Sequence, residues 1–286
     1  MIQSMTGFGK ASVLLPNKKI TVEVKSLNSK GLDLNVRMPS LYREMELGLR
    51  TQIAAKLERG KVDFSVFIES TAEQTSTKVN APIVKAYMNQ LQEVYAAADP
   101  TELMKMAVRM PDALKIEREE IDPEDWTHIQ GVIEEAIQNI LDFRKDEGKS
   151  LEKEFQLRIG NIREYMTEAL ALDPERVQAI KDRLQTAIAE LKVNVDENRF
   201  EQELIYYLEK LDITEEKVRL TNHLDYFLET IKGTQTNGRK LGFITQEMGR
   251  EINTMGSKSN HAQMQKLVVQ MKDELEKIKE QVLNVL

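Results

Sequence analysis

ITVEV at residues 20–24 and LDLNV at residues 32–36 decide the class of fold at the front of this 286-residue chain. In the first, Ile20, Val22 and Val24 alternate with Thr21 and Glu23; in the second, Leu32, Leu34 and Val36 alternate with Asp33 and Asn35. A period of two puts every apolar side chain on one face of an extended backbone, so each stretch reads as a half-buried strand. VDFSVFI at 62–68 repeats the pattern through Val62, Phe64, Val66 and Ile68. Between these stretches Leu41, Met45, Leu49, Ile53 and Leu57 recur at helical spacing, entered through Pro39 and Ser40 and stopped at Gly60. A β-β-α-β order predicts a small antiparallel or mixed sheet with a helix on one face, an α+β arrangement.

After the polar stretch 71–78 the spacing turns helical and stays so to the C-terminus. Three regions are expected: an N-terminal α+β domain at 1–80, a helical middle region at 81–195, and a C-terminal helical domain at 196–286. Asn80 is expected to cap a helix starting near Pro82, and Pro100, Pro111, Pro123 and Pro174 to mark later starts or corners. Residues 122–172 are long enough for an extended helix, with Gly148 as a candidate break and Asp173 opening an antiparallel return helix, together an αα-hairpin arm.

The chain has no cysteine, which excludes disulfides, thiolate zinc sites and thiol nucleophiles. Any metal must then sit on carboxylate, imidazole, amide or water, a set that suits hard cations such as magnesium or manganese. No apolar run approaches the roughly 20 residues of a membrane span, and residues 1–16 lack the order of a secretory signal, so a cytoplasmic location is expected. The net charge of −7 argues against indiscriminate coating of nucleic acid. Its distribution is uneven: residues 232–266 carry Lys232, Arg239, Lys240, Arg250, Lys258 and Lys266 against only Glu247 and Glu251. Such a segment faces phosphate or pairs with acidic neighbours in its own fold. Gly7 and Gly9 in MTGFGK do not complete a nucleotide-binding loop.

Two constellations could carry chemistry. In GRKLGFITQEMGREINTMGSK at 238–258, Leu241, Ile244, Met248, Ile252 and Met255 form one stripe suited to burial. Glu247 and Glu251, one turn apart at its edge beside Arg250 and Thr254, can share a divalent ion or stand as an ordinary solvated pair. In DITEEKVRLTNH at 212–223, Asp212 and Glu215 fit a capping box, while Glu216, Arg219 and His223 follow one another at helical spacing beside Leu220, Leu224, Phe227 and Ile231. The His223 imidazole could bind metal, move a proton or simply pack. His128, next to Trp126, reads as a capping or packing residue; His261 could touch phosphate if the basic segment does.

Taken together, IQSMTGFG at 2–9, VEVKSLNSKGLDL at 22–34, RGKV at 59–62, EGKSL at 147–151, RFEQEL at 199–204 and the two constellations resemble the bacterial YicC/YloC endoribonuclease family along nearly the whole chain. The sequence departs from the family pattern at Lys30 and Gly31, where an arginine and an aromatic are common, and at Gly249, where asparagine is common. The resemblance implies metal-dependent cleavage of RNA by a homohexamer. It implies His223, Glu247 and Glu251 as catalytic and metal-binding residues, and Arg239, Lys240, Arg250 and Lys258 as RNA contacts. Whether the nucleophile is water or the RNA 2′-hydroxyl stays open. A non-catalytic RNA-binding adaptor or helical assembly factor, in which the acidic pair makes only ion pairs, accounts for the same charge pattern.

Overall fold

The computed structural model describes residues 2–16, 18–70, 77–116, 123–191, 197–233 and 238–286. Most of the expected polar junction at 71–78, and Asp122 at the expected helix start, lie outside them. The architecture is α+β. Strands β1 (Gly7–Leu15), β2 (Lys18–Leu27), β3 (Leu32–Arg37) and β4 (Gly60–Ser70) make one mixed sheet in the order β1-β2-β4-β3. β1, β2 and β4 pair antiparallel, and β3 runs parallel to β4 with Leu32 opposite Gly60. The connection from β3 to β4 passes through a 3-10 turn at Ser40–Met45 and helix α1 (Glu46–Leu57). α1 ends at Glu58, whose φ is 52°, and Gly60 at φ 125° makes the reversal a side chain would resist.

β1 falls outside the strands expected from alternation. Its inward positions are Gly9 and Ala11, and the reason they are small is the next layer. A Cβ on Gly9 would lie 2.2 Å from the Ala136 carbonyl oxygen of helix α4 (Pro123–Ala171). The long helix therefore rests almost on the strand backbone. Ile20, Val22, Val24, Val62 and Phe64, fully buried, face Ile53 and Leu57 of α1 and Ile129, Ile133, Ile137 and Ile140 of α4. Each such side chain contributes about 2 kcal/mol on leaving water.

α4 is continuous through Gly148. That glycine marks a close crossing and no break: a Cβ there would meet the Ile2 carbonyl oxygen at 2.0 Å. Past it, Leu151, Phe155, Ile159, Ile162 and Met166 of the same helix enter a second core. This core is completed by α7 (Thr214–Lys232), α8 (Gly238–Lys258) and α9 (Ala262–Val282). The five apolar residues of the α8 stripe are all buried in it, and Phe155 meets Phe227 edge-on at 5.3 Å. One 49-residue helix thus supplies a wall to both cores.

The expected return helix exists as α5 (Asp173–Leu191) but packs little on α4. It shares an apolar groove with α6 (Glu197–Lys210), while α4 packs along α9 and also touches α7. A small unit of β5 (Thr77–Val79), α2 (Ala81–Val94), α3 (Pro100–Ala107) and β6 (Leu114–Ile116) closes over Val84, Ala107 and Ala113. Asn80 makes no side-chain cap on α2; its backbone N–H donates to the Ala113 carbonyl instead, and Asp99 caps α3.

Candidate functional site

α7 and α8 are antiparallel neighbours, each with an apolar stripe in the second core and a polar edge along their shared seam. The seam has three levels. At the first, Lys258 Nζ lies 2.8 Å from Glu216 Oε1 and 2.8 Å from the Asp212 carbonyl oxygen. Glu216 is buried, and its Oε2 has no hydrogen-bond partner. Burial of an acidic group tolerates this because the lysine supplies the opposite charge. Asp212 takes hydrogen bonds from the Thr214 hydroxyl at 2.7 Å and the Thr214 N–H at 3.1 Å. These bonds, the hydroxyl's foremost, hold its carboxyl below the usual range against the opposing effect of burial. The reciprocal bond expected of Glu215 is absent: that side chain pairs with Arg219.

The middle level brings together His223 of α7 and Glu247 and Glu251 of α8. One ligand atom from each of the three lies within 4.8 Å of the other two. Glu251 is 4% exposed, His223 half-buried and Glu247 exposed. Among the described residues neither Glu251 nor His223 has a hydrogen-bond or ion-pair partner, and the only ion pair of Glu247 is a 4.0 Å approach to Arg250. The three groups converge without bonding to one another. An acidic side chain so placed, beside a second carboxylate and an imidazole and without a partner among the described residues, is free to join a cation.

A divalent ion is what this donor set fits. Two carboxylate oxygens and an imidazole nitrogen are hard or borderline ligands, and two ligands on opposite sides of a magnesium-sized ion stand about 4.2 Å apart, close to the observed limit. Glu251 is fixed by burial and by the Ile252 and Met248 side chains beside it in the core, while exposed Glu247 has freedom to close.

Residues 2–153 match the family model described as "Endoribonuclease YicC-like, N-terminal region", and residues 169–286 the one described as "Endoribonuclease YicC-like, C-terminal". The chain is 33% identical over 294 residues to a probable endoribonuclease YicC of Clostridioides difficile (strain 630). It is 28% identical over 287 residues to a probable endoribonuclease YicC of Haemophilus influenzae, and each alignment covers 100% of both proteins. The chain belongs to the YicC-like family.

Within this YicC-like chain the four expected RNA contacts do not share one environment. Arg239 and Lys240 are exposed at the start of α8, and the Lys240 ammonium sits 4.7 Å from the centre of the Tyr226 ring. Arg250 is 72% exposed beside Glu247. Lys258 is engaged by Glu216 and Asp212 as described. Gly249, where the family pattern commonly has asparagine, points away from the seam: a Cβ there would meet Leu275 of α9 at 3.3 Å. His261 caps α9 by accepting from the Met264 N–H, and its Nε2 lies 4.0 Å from Glu175. His128 is exposed near the start of α4. No described helix is long and apolar enough to cross a membrane.

The third level holds residues the sequence reading passed over. Tyr226 follows His223 by three residues on α7, and Phe243 precedes Glu247 by four on α8, so both lie one turn from the cluster on its own side. They are 45% and 61% exposed. Their signal in sequence was available: both stand off the apolar stripes, where an aromatic ring has no core to fill.

Proposed function

We propose that this chain is an endoribonuclease that cuts RNA phosphodiester bonds at the seam of α7 and α8, with His223, Glu247 and Glu251 holding a divalent cation, magnesium or manganese. The observation that carries the reading is the convergence of these groups within 4.8 Å, with Glu251 4% exposed and without a partner among the described residues. The names of the matching family models and relatives supply the reaction. The bound ion would supply Lewis-acid stabilisation of the charge that builds on the phosphoryl oxygens.

The chain's own groups do the rest. Glu251 fixes the ligand position from a rigid helix face, and Glu247 closes from the solvent side. Arg250 and Lys240 add positive charge along the seam, where it favours the phosphate backbone and the developing oxyanion. Lys258 contributes chiefly by neutralising buried Glu216, keeping α7 and α8 in register. His223 offers a ring nitrogen as a ligand or a proton carrier; a His223→Ala protein that loses metal affinity assigns the first role, and one that keeps it assigns the second.

Protein freed of co-purifying nucleases is expected to cut RNA with magnesium or manganese and to stop with a chelator. Glu247→Gln and Glu251→Gln should each lower turnover about 100-fold while the protein stays folded, and the double variant should be little worse than either, as for one shared site. Wild-type cleavage by both single variants overturns the assignment. Binding without cutting across several RNAs assigns the adaptor role instead.

The same reading places the chain in a homo-oligomer, a hexamer by the family resemblance. Its structural support is the exposed apolar surface of α5 and α6, where Ile205 and Tyr206 are more than half exposed and a groove of about 290 Å³ is lined by Leu184, Ile188, Phe200 and Leu204. Light scattering coupled to size separation checks it, and a monomer at physiological salt contradicts it.

A further inference from the structure

We propose that Phe243 and Tyr226 form a stacking subsite for unpaired nucleobases, so that the substrate at the α7–α8 seam is single-stranded RNA. The inference rests on the endoribonuclease reading and names its substrate class. Exposed aromatic side chains scattered singly need no explanation. These two are not scattered. They come from different helices, reach the same end of the seam, and lie one turn, about 5.4 Å of helix, from His223 and Glu247 of the His223–Glu247–Glu251 cluster.

Charge placement supports a nucleotide as the occupant. The Lys240 ammonium lies 4.7 Å from the centre of the Tyr226 ring, an approach that orients the ring and sets a cation beside it. Phe243, 61% exposed on α8, stands between Lys240, three residues before it, and Glu247, four residues after. A base on the Phe243 ring therefore has a cation on one side for one phosphate and the carboxylate–imidazole cluster on the other for the next. An apolar protein partner would want neither the ammonium nor the uncompensated carboxylates at its edge. In a duplex the base faces are stacked on each other and closed to these rings, whereas in an unpaired strand they are open. A flat ring reads no hydrogen-bonding edge, so the subsite selects unpaired over paired RNA with little preference among bases.

The test uses the full-length protein with chelator present, so that binding is read without cleavage. The probes are a single-stranded oligoribonucleotide carrying 2-aminopurine and the same strand annealed to its complement. Stacking on protein rings should quench the free strand on binding, and wild-type protein should bind it at least tenfold more tightly than the duplex. Phe243→Ala and Tyr226→Ala should each weaken single-strand binding about tenfold and reduce the quench, while Phe243→Tyr and Tyr226→Phe restore both. Manganese affinity, read separately, should be unchanged in all four. Equal binding of duplex and single strand overturns the proposal, as does undiminished binding by both alanine variants. So does a Phe243→Ala protein that dissociates to smaller species whose chains bind RNA as before, since the ring would then be an intersubunit contact. Because binding is measured without turnover, a protein that binds as described but never cuts would refute the endoribonuclease reading and leave the subsite standing.

Discussion

Arg144 in the sheet half and Glu251 in the helical half are both charged and both buried, at 0% and 4% exposure, yet their surroundings are opposite. The Arg144 guanidinium donates to the carbonyls of Met5, Leu57 and Arg59 and to the Ser26 hydroxyl, binding the N-terminal segment, the end of α1 and the entry to β4 onto α4. Burial lowers its pKa, but a guanidinium starts so high that it stays charged. Glu251 has no such set of partners. A charge that ties four groups of the protein together, even with its Nε unbonded, serves architecture; one without a partner among the described residues, next to a second carboxylate and an imidazole, is disposed for a ligand.

The comparison breaks most easily through stability. Arg144→Met removes donors from four buried acceptors and should cost about 4 kcal/mol in urea or thermal unfolding. Glu251→Gln, measured with chelator, should change stability by less than about 1 kcal/mol, because no protein partner among the described residues is lost. Equal losses from the two variants would erase the distinction between them.

Glu274 on α9 offers an intermediate case. It is buried like Glu251 but bonded to Lys277, Asn161 and Arg158, tying α9 to α4. Desolvation by burial pushes its pKa up, and the hydrogen bonds of Lys277, Asn161 and Arg158 together outweigh it, so the carboxyl titrates below its ordinary range. A depressed folded value means that its stabilising effect is complete above about pH 4.3, the ordinary glutamate value, and disappears as pH falls through the folded value. Glu274→Gln should therefore cost about 2 kcal/mol at neutral pH, with the gap to wild type closing in acid unfolding curves below about pH 4. A gap constant from pH 7 to pH 3 would contradict the assignment.

The smallest effect is expected at the rim of the seam. Replacing both Arg239 and Lys240 with alanine should weaken RNA binding several-fold and flatten its salt dependence by about 1.4 units of slope, leaving the fold intact. An unchanged salt slope removes both from the RNA path.

Where sequence and structure part, the causes are specific. The alternation in β2, β3 and β4 was legible because their inward residues are large and branched. β1 was not, since the nearness of α4 forces Gly9 and Ala11 inward and leaves Phe8 and Leu14 outside, reversing the usual contrast. Gly148 resembled a helix break because a glycine needed for close backbone approach looks the same in sequence as one needed for a turn. At the seam, the one-turn spacing of Glu247 and Glu251 was visible within a single helix. That His223 would meet them from another helix was not written in any local spacing; only the family resemblance joined them. Tyr226 and Phe243 were missed because an exposed ring acquires meaning only once its neighbours across the seam are known.

The central claim, that Glu251 is buried for a metal, is tested most directly by titrating manganese into wild-type and Glu251→Gln protein and counting bound ions by electron paramagnetic resonance. The account predicts one ion per chain in wild type and affinity at least 100-fold weaker in the variant, with circular dichroism unchanged. Equal manganese binding by the two proteins would contradict it.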